Sequence, residues 1–227
     1  MHLLTDILTA GLTARRSADH LAFVRLALGP GVTRTPPAGT LHAFRAALGR
    51  AWRVPCSNHL KEPLWRLAAG AILGSRVRPW TCPCASDLPQ PVCGRRHAFW
   101  DCPVAVAVRS QLAGLGPVPP PCSSVWLLRP PASDVCASAW ALICMVAIYA
   151  MERGRRGLWA AQTVAGTSRL SPSAIAAIAN ASVADFWWAL TDFAESHPDP
   201  PSTWSLRADH PFLCLRSGRL TVRGPVR

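Results

Sequence analysis

Lysine is nearly absent from this chain: Lys61 is the only one, and the other 23 of the 24 basic residues are arginines. Acidic residues are also few, 12 in 227 positions, and no Asp-Asp pair occurs anywhere. That absence removes the paired carboxylates with which polymerases hold two catalytic metal ions. His59 stands near Cys56, but no carboxylate pair, Gly-rich phosphate loop or Gly-x-Ser-x-Gly elbow supports a mechanism. An enzyme is not expected, nor a small-molecule substrate. The N-terminus lacks a basic stretch ahead of an apolar one, and Asp6 sits where a secretory leader would be apolar. No internal repeat is visible. Half of the chain is hydrophobic and 16% is charged, which excludes a wholly disordered, collagen-like, coiled-coil or mucin-like chain.

What remains is strongly basic. The net charge is +12, which points to a polyanion such as nucleic acid or to an anionic membrane surface. The arginines accompany 22 prolines and much alanine, a bias that GC-rich coding produces unaided, so their number alone carries little functional weight. Their distribution says more. Residues 1–128 hold 14 basic against 5 acidic groups, 129–202 hold 5 against 6, and 203–227 hold 5 against 1. A basic face must come from the first half and the tail. Nine cysteines without a secretory leader imply reduced thiols or metal ligands in an intracellular protein, nuclear or cytoplasmic, with Arg15 and Arg16 leaving an organelle-targeting reading open.

The pattern is that of a mainly α protein, a small helical bundle interrupted by one irregular loop segment. Ser17 is placed to cap a first helix with Leu21, Val24 and Leu28 at helical spacing, ended by Gly29-Pro30-Gly31. Thr40 caps a second, on which Leu41, Phe44, Leu48 and Trp52 share a face. A third runs from Glu62 to Leu73 and stops at Gly74. After the loop segment comes a short helix from Val104 to Leu112. A proline-rich break at 114–124 then separates residues 1–112 from a helical scaffold at 125–196. In the scaffold Ser133 or Asp134 opens a run from Val135 to Met151 stopped by Gly154. Ser171-Pro172 opens a helix to about Glu195. Residues 197–227 read as a basic, disordered tail.

Between 76 and 103 periodicity is lost, and Cys82, Cys84, Cys93, His97 and Cys102 crowd together. Such a segment builds no core of its own, so something else must hold it. Zinc takes four thiolate or imidazole ligands in a tetrahedron, and structural sites pair close ligands across a loop. Cys82-Pro83-Cys84 is one close pair, His97 and Cys102 a second, and the loop between them is long enough to let them meet. Cys93 is an alternative to His97. Metal binding would then supply folding energy. Around these residues Arg76, Arg78, Trp80, Arg95 and Arg96 offer phosphate contacts and a stacking face for RNA or single-stranded DNA. Phe99 and Trp100 suit a miniature core beneath the loop instead.

Three pieces of this sequence together resemble a known family. The run from Asn58 to Trp65, then Cys82-Pro83-Cys84, then Arg95-Arg96-His97 through Cys102-Pro103 is similar to the zinc-binding region that follows the reverse transcriptase of LINE-type (non-LTR) retrotransposons. Val125-Trp126 and the stretch from Gly154 to Trp159 extend the likeness, which covers about residues 58–160. The resemblance implies Cys82, Cys84, His97 and Cys102 as ligands of a structural zinc ion. It also implies a role in holding template RNA or target DNA beside a polymerase that another chain supplies, since the catalytic carboxylates are missing here. The competing expectation is a small membrane protein. Residues 135–151 carry no charge, but as a helix they span about 25 Å against a hydrocarbon core of about 30 Å.

Overall fold

The computed structural model describes residues 16–29, 35–71, 81–84, 94–115, 118–199, 204, 206, 210 and 212–224. Their fold is mainly α. The helices are α1 (residues 16–28), α2 (Thr40–Arg53), α3 (Asn58–Ala68), α4 (Pro103–Ser110), α5 (Cys122–Trp126), α6 (Ala137–Ala165) and α7 (Pro172–Ser196). A hairpin follows, β1 (Leu213–Arg216) paired antiparallel with β2 (Arg219–Val222).

Helix α6 is the axis of the core. Its 29 residues run about 43 Å, and residues 139–148 are completely enclosed by protein. Helices α2, α3, α4 and α7 all pack on it. Most of the uncharged run at 135–151 is therefore interior, with residues 135–138 only partly buried. Among the described residues, α7 is the only helix long and apolar enough by length and composition to cross a membrane, with a mean hydropathy of 1.2. The core does not stop at the proline-rich break. Phe23 of α1 stacks on Trp126 of α5 (5.4 Å between centroids, 7° between planes), and α4 packs along α7. The two halves expected as separate segments share one hydrophobic cluster.

Gly154, expected to stop α6, lies inside it. A side-chain carbon there would run into Ser182 Oγ of α7 and Val104 Cγ1 of α4. The glycine is present because three helices meet at this point, and α6 continues to Gly166, whose positive φ of 62° ends it. Gly154→Val is expected to destabilise the protein by about 1–3 kcal/mol through overpacking. The readout is a lower urea midpoint with an unchanged slope.

Other boundaries also differ from the sequence expectation. Ser17 is already helical, and its hydroxyl accepts a hydrogen bond from Arg45 (2.7 Å) instead of capping α1. Helix α2 begins after Gly39, with Thr40 buried as its first residue. Helix α3 starts earlier than Glu62 and ends at Ala68. Gly70, at φ 65°, closes it in a Schellman motif: Ala71 N–H donates to Arg66 O (2.8 Å) and Gly70 N–H to Leu67 O (3.4 Å). The proposed stop at Gly74 lies outside the described residues. Ser171 caps α7 as expected, accepting from Ala174 N (3.2 Å), and Ile175, Phe186, Leu190 and Phe193 are buried.

Part of the stretch expected to be a disordered tail is ordered. Ser217 and Gly218 both have positive φ, 51° and 77°, the requirement of a tight two-residue hairpin turn. An isolated two-stranded hairpin is marginal in water. This one buries Phe212, Leu213 and Leu220 against the bundle, β2 packs on α7, and Leu220 N–H bonds Pro198 O (2.7 Å).

Candidate metal centre

His97 and Cys102 are five residues apart, and on an ordinary α-helix such a pair points about 140° apart. The chain solves this with a single π-helical turn, His97–Asp101, closed by a hydrogen bond from Cys102 N–H to His97 O (2.7 Å). Such turns are rare and collect at functional positions. Pro103 then forbids continuation. It biases the preceding residue to extended backbone, and Cys102 sits at φ −60°, ψ 139° as the N-cap of α4 with Pro103 in the first helical position. The wider turn and the extended cap together let the imidazole and the thiol face one point. Beneath them Phe99 and Trp100 are buried, as the miniature-core expectation required.

The other pair comes from residues 81–84. Cys82 and Cys84 are both buried, and the carbonyl of Pro83 between them accepts from Leu170 N–H (3.1 Å) in the connection between α6 and α7. A short strap with no helix of its own is thus held by the second half of the chain. The result is that one ligand atom from each of Cys82, Cys84, His97 and Cys102 lies within 4.8 Å of the others, an arrangement that could hold a metal ion. Cys82 Sγ lies 3.8 Å from Cys102 Sγ, and Cys84 Sγ lies 3.3 Å from His97 Nε2. Cys56, Cys122, Cys136, Cys144 and Cys214, the other described cysteines, take no part in it.

The electrostatics suit a cation. Hydrogen bonds from Cys102 and then Cys82 pull the Cys84 thiol well below its usual range, against burial. Hydrogen bonding to Cys102 and then Cys84 raises His97 to about 10. Cys102 is pushed far up, first by Cys82 and Cys84 and then by burial. The lowered Cys84 and the raised His97 both reflect negative charge on sulfur favoured beside a positive group. Away from the cluster burial dominates: it raises Cys122 to about 12 and pushes Cys144 well above its ordinary value.

The residues expected on a nucleic-acid face fare unevenly. Arg76, Arg78 and Trp80, with the alternative ligand Cys93, lie outside the described residues. Arg95 and Arg96 carry structural work instead. Arg95 Nη1 donates to Leu67 O at the end of α3 (3.0 Å), while Arg96 Nη1 donates to Leu26 O in α1 (3.4 Å) and its Nε pairs with Asp101 (3.5 Å). Cations at helix C-termini satisfy carbonyls that have no partner within the helix. These two arginines therefore tie the turn that carries His97 and Cys102 to α3 and α1. The sequence offered no signal for this, because neither partner is near in the chain. No protein family, curated protein or solved structure matches this chain.

Proposed function

We propose that the chain is a structural-zinc, nucleic-acid-binding protein without polymerase activity of its own, similar in role to the C-terminal region of a LINE-type reverse transcriptase. The observation that carries the reading is the geometry of the cluster. Zinc–sulfur bonds of about 2.3 Å in a tetrahedron put sulfur atoms about 3.8 Å apart, and a sulfur and an imidazole nitrogen about 3.6 Å apart. The distances of 3.8 Å and 3.3 Å between the ligand atoms lie close to these edges. Four protein ligands leave no open coordination position, so the ion is structural. Its binding energy contributes to folding of a segment that has little core.

Nucleic acid as partner follows from the excess of basic groups in residues 1–128. The polymerase, where one is needed, comes from another chain. Fluorescence anisotropy of labelled single-stranded RNA and duplex DNA with metal-loaded protein tests the reading. With four phosphate contacts on a single strand, raising salt from 50 to 200 mM should weaken binding ~50-fold. An affinity that stays flat with salt, or no binding to either polymer, would refute it.

A further inference from the structure

Helix α2 turns an unexpected face to the core. The apolar stripe at Leu41, Phe44, Leu48 and Trp52 would bury Trp52, yet the buried residues are Thr40, Phe44, Ala47 and Ala51, and Trp52 is 55% exposed. On α3 Trp65 is 48% exposed as well. An exposed tryptophan forgoes a large hydrophobic gain, and two beside one cavity need a reason. Both line an open pocket of about 560 Å³ between α1, α2 and α3, the size range of small-ligand sites.

The same walls hold cations. Arg16 and Arg53 are exposed there, and Lys61 is more than nine-tenths buried; half-buried His20 also lines the pocket, its pKa lowered by burial and by Arg45. Lys61 makes one hydrogen bond, from Nζ to Trp52 O (3.0 Å), and its ammonium lies 5.7 Å from the Trp52 ring centroid. Among the described residues no carboxylate pairs with it. An ammonium has three donors, and burial with a single carbonyl acceptor leaves two without a protein partner. Asp19 is the one acidic residue in the lining. Two aromatic faces, an apolar floor and an excess of positive charge are the elements by which proteins hold a planar base attached to a phosphate.

We propose that this pocket binds a nucleotide unit, its base against Trp52 or Trp65 and its phosphate at Lys61, Arg53 and Arg16, and that this is where single-stranded nucleic acid enters the protein. The site is separate from the metal centre and deepens the nucleic-acid reading, on which it rests. Stacking against an aromatic ring changes affinity about fivefold to a hundredfold per base. Trp52→Ala and Trp65→Ala should each weaken binding of a labelled single-stranded RNA within that range. Arg53→Gln should weaken it and flatten its salt dependence. Trp159→Ala is the control, since that residue is 58% exposed on α6 and does not line the pocket.

All of these positions except Lys61 are solvent-facing, so the variants should keep the wild-type melting temperature. Adenosine monophosphate and a short oligoadenylate serve as unlabelled competitors. Displacement by the monophosphate identifies a free nucleotide as a sufficient ligand, and displacement by the oligomer alone identifies a strand, both in keeping with the pocket. Wild-type binding that survives Trp52→Ala, Trp65→Ala and Arg53→Gln unchanged would overturn this site and leave the nucleic-acid reading standing. No binding by the wild type would overturn both.

Discussion

Native mass spectrometry of the purified protein is expected to find one zinc ion per chain, and none in Cys102→Ser. Cys102 would be the critical ligand, because it is placed by three separate features: the π-helical turn, Pro103 and the start of α4. Replacing its sulfur leaves three ligands around a cation that needs four. Linkage sets the size of the effect. At a free-ion concentration a thousandfold above Kd, bound metal adds about 4 kcal/mol of stability. In a chain of this length that corresponds to about 8–16 °C in Tm. A chelator should therefore lower the melting temperature of the wild type by about ten degrees and leave Cys102→Ser unchanged. Acid should have the chelator's effect, since protons compete with the metal for thiolates. Folded, reduced protein that carries no metal, with a melting temperature indifferent to chelator, would refute the zinc centre.

The second large effect is expected at Glu152. Its carboxylate is buried on α6 and accepts from Arg155 Nε (2.7 Å) and Nη2 (2.9 Å), and from Arg156 Nε (3.0 Å). Burial raises its pKa, but the hydrogen bonds and charges of Arg155 and then Arg156 outweigh that and hold it below the ordinary 4.5. Breaking a buried pair by removing one partner typically costs about 3–5 kcal/mol, because a charge stays behind without its counter-ion. Glu152→Gln keeps the shape and removes the charge that faces the buried Arg155 guanidinium. The expected loss lies in that range by urea unfolding at pH 7. Because the folded pKa is depressed, the stabilising contribution is present above pH 4.5 and lost as pH falls through the folded value. The gap between wild type and variant should therefore be constant at neutral pH and close on acidification below about 4.5. A gap that does not narrow would show the carboxylate charge to be irrelevant. Its partner Arg156 is mostly exposed, so Arg156→Gln should cost much less.

The four clustered residues were legible in the sequence because a metal-ligand pattern constrains residue type and short spacing, and both are local. The two members of each pair lie within six positions of each other. The geometry that joins the pairs was not legible. The π-helical turn has no propensity signature apart from the proline that ends it, and the strap at 81–84 is held by Leu170, nearly ninety residues away. The roles of Arg95 and Arg96 were hidden for the same reason, their carbonyl partners lying 28 and 70 residues upstream.

By itself the sequence determined the mainly α class, the cap of α7 at Ser171-Pro172 and the identity of the clustered cysteines and histidine. Each of these depends on neighbours within about one or two helical turns. Only the tertiary structure decided which face of α2 meets the core. The periodicity of 3.6 admits both the stripe ending at Trp52 and the one ending at Ala51, and helices approach closely only where the side chains between them are small. The choice of Ala47 and Ala51 pushes Trp52 outward and opens the pocket beside Lys61. Gly154 followed the same logic: read alone it is a helix stop, and between α4, α6 and α7 it leaves the room that Ser182 and Val104 fill. The hairpin at 213–222 too exists because α7 supplies the apolar surface that a two-stranded ribbon lacks.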